Sequence, residues 1–203
     1  MIVAADCTGH GVPGAFMSIL GITFLNETAE SIYDLDKVGT AEILENLRYK
    51  IKNVMRQNDE NIETRDGMDV SLCIIDLKTL QMKFSGANNS AFVVSKSGCN
   101  QIKADRIPIG VLGKNDLPFT ENSVQLCHGD TLYLISDGYC DQLGAKGRFK
   151  THNFKTLLLS LYDKSMTEQN NILLETLDQH RIDVDGVSLT EQTDDILIMG
   201  MKI

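Results

Sequence analysis

The sequence predicts an α+β fold built largely from antiparallel sheets, and three observations carry that expectation. Short runs rich in β-formers crowd the middle of the chain, amphipathic stretches flank them, and no internal repeat or Ser/Gly linker divides the 203 residues. The order reads strand, two helices, a meander of strands, two helices, strand.

Each element has a local reason. IVAAD is a strand that stops at Asp6, and the turn CTGHG follows it. VPGAFMSILGITFLNETAES then reads as a helix with Pro13 in its first turn, where a missing N–H costs nothing. Phe16, Leu20 and Phe24 recur at a spacing of four and are expected on its inner face. A second helix is expected from Thr40 to Asn58, with Thr40 as its cap and Ile43, Leu47, Ile51 and Val54 as its apolar stripe. MDVSLCIIDL, QMKFSGA and SAFVVSK read as strands, and Asn88–Asn89 as a hairpin turn. SVQLCHGDTLYLISDG reads as two more strands joined at His128–Gly129–Asp130. Helices are expected near Asn153 to Tyr162 and Thr167 to His180, and a closing strand over DILIMGMKI.

Composition narrows the function classes. A chain of this size hides roughly 70% of its unfolded surface on folding, so it needs no disulfide or structural metal to build a core. Apolar residues make up 42% and charged residues 23%, an ordinary globular mix. No run of 18 apolar residues occurs, and no basic segment precedes a short apolar one at the start, so neither a membrane span nor a secretory signal is expected. A net charge of −9 repels phosphate backbones and argues against nucleic acid as a partner. The five cysteines are dispersed and form no CxxC pair, which excludes a disulfide framework and a zinc ribbon and predicts a reducing, cytoplasmic compartment. Of the histidines, His128, His152 and His180 show no metal-ligand spacing and are expected at the surface.

Three aspartate positions stand where an apolar strand pattern meets a polar turn. Asp6 ends IVAAD, Asp137 ends TLYLISD, and Asp194 with Asp195 opens the final strand; the separations are 131 and 57 residues. Aspartates in such places are often turn formers. If they converge instead, their mutual repulsion requires protons or a cation, and all-oxygen ligands select Mg²⁺ or Mn²⁺. Gly9, Gly11 and Gly14 fit either a tight strand-to-helix turn or the close approach of an anion to a helix start. Asp66 and Asp69 suit a solvated turn, or a further metal or substrate contact.

Six stretches then occur in one order. DCTGHGVPGAFMSILG from Asp6, DGMDVSL from Asp66, GANNSAFVVS from Gly86, KADRIPIGV from Lys103, GDTLYLISDGYCDQLG from Gly129 and EQTDDILIMG from Glu191 closely resemble the motifs of the SpoIIE-type branch of the metal-dependent (type 2C-like, PPM) Ser/Thr protein phosphatases. The resemblance covers nearly the whole chain and implies one domain over residues 1–203. It implies a sandwich of two antiparallel β-sheets flanked by helices, with a pair of Mg²⁺ or Mn²⁺ ions at one end. Asp6, Asp137 and Asp194 match the metal-binding catalytic aspartates, with the carbonyl of Cys7 as a further ligand. Thr8, Gly9, His10, Gly138 and Asp195 match supporting positions; His10 either hydrogen-bonds within its turn or acts as general acid.

The implied reaction is in-line attack of a metal-activated water on a phosphoserine or phosphothreonine, without a covalent intermediate. The implied partners are a phosphorylated regulatory protein of the anti-anti-sigma type and an upstream sensor domain. Family members carry another strand pair, ending in an SGDFYW-like stretch with a metal-binding aspartate, before the first motif seen here. The chain is therefore expected to be an N-terminally truncated domain missing the first strands, with weakened metal binding and open sheet edges that favour a homodimer. A non-catalytic or impaired phosphatase-like module acting by phosphoprotein binding or dimerisation is the alternative. A generic acidic domain with turn aspartates is a third reading.

Overall fold

The computed structural model describes residues 1–9, 11–32, 38–55, 66–110, 117–182, 186 and 190–203. In chain order the elements are β1 (Ile2–Cys7), α1 (Gly11–Ser31), α2 (Thr40–Val54), β2 (Met68–Ile75), β3 (Gln81–Ala87), β4 (Ala91–Ser95), β5 (Gly98–Ile102), β6 (Asn122–Gln125), β7 (Thr131–Ile135), α3 (Gly138–Asp141), β8 (Leu143–Gly144), β9 (Gly147–Arg148), α4 (Thr151–Ser160), α5 (Met166–Arg181) and β10 (Ile198–Lys202). The fold is α+β. One sheet has the order β1-β2-β3-β6, a second the order β10-β7-β4-β5, and β8 and β9 form a small ribbon. The chain divides into two compact units, Met1–Ala91 with Ile102–Leu126 and Phe92–Gln101 with Cys127–Ile203.

In the first unit β1, β2, β3 and β6 pair antiparallel throughout. The period-two pattern of β2 sends Val70, Leu72 and Ile74 to one face, where they meet Ile43, Leu44, Leu47 and Ile51 of α2 and Met17 of α1. Val3 and Cys7 of β1 pack against the same cluster. Leu44 is fully buried there, so Leu44→Ala should cost about 2–5 kcal/mol of unfolding free energy in a urea titration.

The start of α2 departs from the expected cap. Gly39 occupies the N-cap with no side-chain bond, and Thr40 is the first helical residue. The Thr40 amide donates to Glu121 Oε2, its hydroxyl donates to the same oxygen at 3.0 Å, and its Oγ1 lies 2.8 Å from Ser85 Oγ. A carboxylate 81 residues away therefore does the capping, a contact no local motif announces. Residues 56–58, expected to continue this helix, lie outside the described residues.

In α1 the expected inner face is displaced. Met17, Gly21 and Thr28 are buried, Leu20 and Phe24 pack partly against the core, and Phe16 is 62% exposed. A helix apolar all round gives spacing alone no way to choose the inner stripe.

The second unit builds its core from Phe92 and Val94 of β4, Tyr133 and Ile135 of β7, Tyr139 of α3, and Phe154, Leu158, Leu173 and Leu177 of α4 and α5. Phe92 meets Phe154 edge-on at 5.6 Å between centroids. The buried hydroxyls find partners: Tyr139 donates to Leu173 O at 2.9 Å, and Tyr133 donates to Gln169 Oε1. Helix α5 opens with a capping box in which Ser165 Oγ accepts from the Glu168 amide and the Glu168 carboxylate accepts from Ser165. Those bonds, led by the Ser165 hydroxyl, hold the Glu168 carboxyl below its ordinary value of 4.5. A depressed carboxyl pKa adds stability that is complete above the unfolded value and lost as pH falls through the folded one. Glu168→Gln should therefore lower the melting temperature at neutral pH, and the difference should vanish in acid well below pH 4.5.

The expected Asn88–Asn89 hairpin is a crossover, since it joins β3 to β4 and these belong to different sheets. The two strands expected either side of His128–Gly129–Asp130 are β6 and β7, which also belong to different sheets. The 127–130 turn itself is real, closed by Asp130 N–H to Cys127 O at 3.0 Å. The last strand is shorter than expected. It begins at Ile198, which leaves Asp194 and Asp195 in the preceding loop.

Candidate functional site

In the second unit the end of β7 is joined to the 195–197 segment by one serine. Ser136 is 2% exposed. Its amide donates to Leu197 O at 3.0 Å, its hydroxyl donates to Asp195 O at 3.0 Å, and it accepts from the Leu197 amide at 2.9 Å. The next residue, Asp137, occupies the N-cap position of α3 without a side-chain capping bond, and the first turn closes with Asp141 N–H to Asp137 O at 2.9 Å. Gly138 then lies against the loop backbone: a Cβ there would stand 2.3 Å from Asp195 O. Only glycine lets α3 start this close to the Asp194–Asp195 segment.

The loop is shaped by further bonds. Asp194 Oδ1 accepts from the Asp195 amide at 2.8 Å, and Gln192 Nε2 donates to Asp194 O at 2.8 Å. Gln142, fully buried, donates through Nε2 to Glu191 O and to Leu143 O, each at 2.9 Å. Its own carbonyl lies 3.0 Å from His180 Nε2, and His180 packs edge-on against Phe149 at 5.1 Å. His180, expected as a free surface side chain, thus has a structural role; His128 and His152 are exposed as expected.

These contacts gather like charge. Asp137 remains open to solvent, yet the protein packed around it desolvates its carboxyl. That burial first, and then the carboxylates of Asp194 and Asp141, raise its pKa above the ordinary 3.8. Arg148 works the other way from its 3.0 Å ion pair with Asp141.

In the first unit Asp6 sits directly opposite Asp69 in the β1–β2 ladder. Directly opposed residues project to the same face, and two carboxylates so placed destabilise the pair unless something offsets their charge. Asp69 Oδ1 accepts from Asn88 Nδ2 at 2.8 Å, and Asn88 adopts a left-handed φ of 57° to reach it. The strand end is clipped by Thr8, whose amide and hydroxyl both donate to Gly67 O at 2.9 Å while the Gly67 amide donates to Thr8 Oγ1 at 2.6 Å. Gly9 and Gly11 turn the chain into α1 through φ values of 93° and 70°, which side-chain-bearing residues rarely adopt. His10 lies outside the described residues.

The structure thus brings Asp137, Gly138, Asp194 and Asp195 together in one unit and sets Asp6, Cys7, Thr8 and Gly9 at one strand end of the other. It adds Asp69, whose side of the ladder follows from register with Asp6. It also adds Ser136 and Gln142, single polar residues whose partners are remote. Cys7, Cys73, Cys99 and Cys140 do not suit a nucleophile: burial raises the Cys7 and Cys99 thiols and pushes Cys73 and Cys140 up to about 12. Among the described residues no group of three His, Cys, Asp or Glu side chains forms a ready metal cage. The donor chemistry nevertheless fits a hard divalent cation, because each cluster holds carboxylate oxygens whose crowded charge a cation relieves. No described helix is long and apolar enough to cross a membrane.

Comparison with known proteins places the family and the fold. The family model for stage II sporulation protein E (SpoIIE) matches residues 1–203. No curated protein matches the chain in sequence. Among solved structures, the SiaA PP2C domain of Pseudomonas aeruginosa is 26% identical with a TM-score of 0.82, over 99% of this chain and 74% of that one. A structure of the PP2C phosphatase domain of SpoIIE from Bacillus subtilis with a fragment of its regulatory domain is 23% identical with a TM-score of 0.69; the match covers 99% of this chain and 53% of that one. The catalytic domain of the serine/threonine phosphatase PstP, solved with 2 manganese ions, shares the fold at 14% identity and a TM-score of 0.63, over 97% of this chain and 84% of that one.

Proposed function

Because the chain belongs to the SpoIIE family of PP2C-type serine/threonine phosphatase domains, we propose that it removes phosphate from phosphoserine or phosphothreonine on a regulatory protein, with residues 1–203 acting as one phosphatase domain. The observation that carries this reading is the crowding of Asp137, Asp194 and Asp141 beside a glycine that admits no side chain. Asp6, Asp137 and Asp194 are the residues that would hold Mg²⁺ or Mn²⁺, and the Cys7 carbonyl would add a further oxygen. When bound, such ions supply an acidified water as nucleophile and offset the charge of the phosphate oxygens.

The chain's own residues set the positions. Ser136 and Gln142 fix the loop that carries Asp194, Gly138 sets the distance between Asp137 and that loop, and Asp195 supports its neighbour through its amide. Thr8 holds the strand end at Asp6, and Gly9 opens the turn in which His10 serves structurally or donates a proton to the leaving serine oxygen. Removing the Ser136 hydroxyl strips two bonds from the loop, so Ser136→Ala should lower kcat by about tenfold and the urea midpoint with it.

The substrate is a phosphorylated regulator of the anti-anti-sigma type in the cytoplasm, and a sensor region of the parent protein governs access to it. The test is phosphate release from a phosphoserine peptide with Mn²⁺, with EDTA, and with Asp137→Ala. Metal-dependent release that the substitution abolishes is expected. Release indifferent to EDTA contradicts the reading. Tight peptide binding with no release at any metal concentration turns it into a binding module.

A further inference from the structure

The ribbon beside Asp137 carries a charge opposite to that of the chain. No Asp or Glu occurs from Gln142 to Tyr162, although acids make up 28 of the 203 residues. The same stretch holds Lys146, Arg148, Lys150 and Lys155 in a chain of net charge −9. Leu143 pairs with Arg148 and Gly144 with Gly147, and the contact runs on through Phe149 N–H to Gln142 O at 3.0 Å and Lys150 N–H to Cys140 O at 2.7 Å. Phe149 is buried edge-on to Tyr139 at 5.1 Å, so its neighbours Arg148 and Lys150 face solvent, and Lys146 in the turn is exposed with them. From Lys146 to Lys150 the strip spans about 13 Å.

The strip adjoins the aspartate centre. Arg148 reaches Asp141 at 3.0 Å, and Asp141 lies one α3 turn, about 6 Å, along from Asp137. Among the described residues neither Lys146 nor Lys150 forms an ion pair. Helix α4 starts directly after Lys150 with no side-chain cap and no acid in its first turn, so its end adds to the positive field. Lys150 itself holds φ 71° and ψ 144°, a backbone shape that glycine adopts far more readily.

We propose that this basic strip is a docking surface for an acidic segment of the phosphorylated partner, whose carboxylates meet Lys146, Arg148 and Lys150 while its phosphate occupies the aspartate centre. The identity of that partner rests on the phosphatase reading above. Charge complementarity selects the occupant. A duplex or an anionic membrane presents a broad negative surface that the remaining acids of the chain repel, whereas a narrow row of carboxylates meets the strip alone. An extended peptide covers about 3.3 Å per residue, so the strip faces positions roughly two to six residues from the phosphorylated one. Exposed charges of this kind speed association and favour one partner over another, and salt screens them.

Two labelled phosphoserine peptides test the proposal, one flanked on both sides by glutamates and one by lysines. Fluorescence anisotropy with Mn²⁺ gives their affinities, and phosphate release gives kcat/KM. The wild-type chain should bind the acidic peptide at least about tenfold more tightly at low salt, against the direction of its net charge, and added salt should shrink the preference. The double variant Lys146→Glu/Lys150→Glu should erase or reverse it. Lys150→Gly should cut the preference about threefold while the melting temperature holds or rises, which separates lost charge from lost fold. A wild-type chain with no preference, or one that prefers lysines, overturns the proposal. So does a preference that survives in the double variant, which assigns docking to another surface. Tighter binding of duplex DNA or anionic vesicles through the same lysines also overturns it. Acid-selective binding that the variants abolish, with no phosphate released, keeps the docking surface and removes the phosphatase reading; metal-dependent release without selectivity does the reverse.

Discussion

Asp137→Asn should reduce phosphate release from a phosphoserine peptide at least about a hundredfold, because the proposed metal ligand is lost where even supporting residues cost about 10–100-fold. The unloaded protein should not be harmed. Burial and the neighbouring carboxylates Asp194 and Asp141 raise the Asp137 pKa, so its ionised form is the less stable partner in the folded state. A raised carboxyl pKa means that stability falls as pH climbs from the unfolded value, 3.8, through the folded one. Asparagine removes that slope. The variant should melt at or above the wild-type temperature at neutral pH, and the advantage should close below pH 3.8. Activity lost with stability kept identifies a functional carboxylate; both lost together indicate a structural one. Thermal melts across pH, beside kcat measurements with saturating Mn²⁺, separate the two.

Gly138→Ala should be a severely damaging methyl at the turn that carries Asp137. The added Cβ would stand 2.3 Å from Asp195 O and 3.0 Å from its carbonyl carbon, both backbone atoms that no rotamer change can move. The loop carrying Asp194 must shift or α3 must unwind, at a cost of about 1–3 kcal/mol for such overpacking. Displacing Asp194 by even 1 Å should lower kcat by about a hundredfold, the usual penalty for misplacing a reacting geometry. A urea midpoint and kcat both unchanged by the substitution would contradict the packing described at this turn. Asp195 itself needs no change in this test, since the steric conflict is with its main chain.

Much of the fold was legible in local pattern. Helices α4 and α5 lie within a few residues of their expected places, because Phe154, Leu158, Leu173 and Leu177 recur at helical spacing and the Ser165–Glu168 box marks a start. The β-formers of β2 marked the strand but not its inner face, since Ser71 and Cys73 are as buried as Val70 and Leu72. Strand partners were not legible. Asn88–Asn89 looks like a hairpin by residue type, yet Asn88 reaches Asp69 and the chain crosses to another sheet. Local chemistry sets the turn but not which strand lies alongside. The cap of α2 failed for a related reason: Glu121 is invisible within any window around Thr40. In α1 the pattern was uniformly apolar, so the exposed face containing Phe16 was indistinguishable from the buried one containing Met17.

The candidate site divides in the same way. Asp6, Asp137, Asp194 and Asp195 were legible because each interrupts an apolar strand pattern at its end. Asp195 and Asp194 proved to be loop residues rather than strand residues, held by Ser136 and Gln142. Ser136 reads as an ordinary residue before a turn, and Gln142 as a solvated polar side chain. Only burial and remote partners reveal that both fix the loop. Asp69 was ambiguous between turn and ligand until register placed it opposite Asp6.

The most direct measurement is electron paramagnetic resonance titration of Mn²⁺ into the wild-type chain and into Asp6→Asn, Asp137→Asn and Asp194→Asn. The signal of free Mn²⁺ reports the bound fraction without reference to turnover. Saturable binding by the wild type that each of the three substitutions weakens at least about tenfold is the predicted result. Wild-type affinity retained in all three variants, or no saturable binding to the wild type at any concentration, would contradict it.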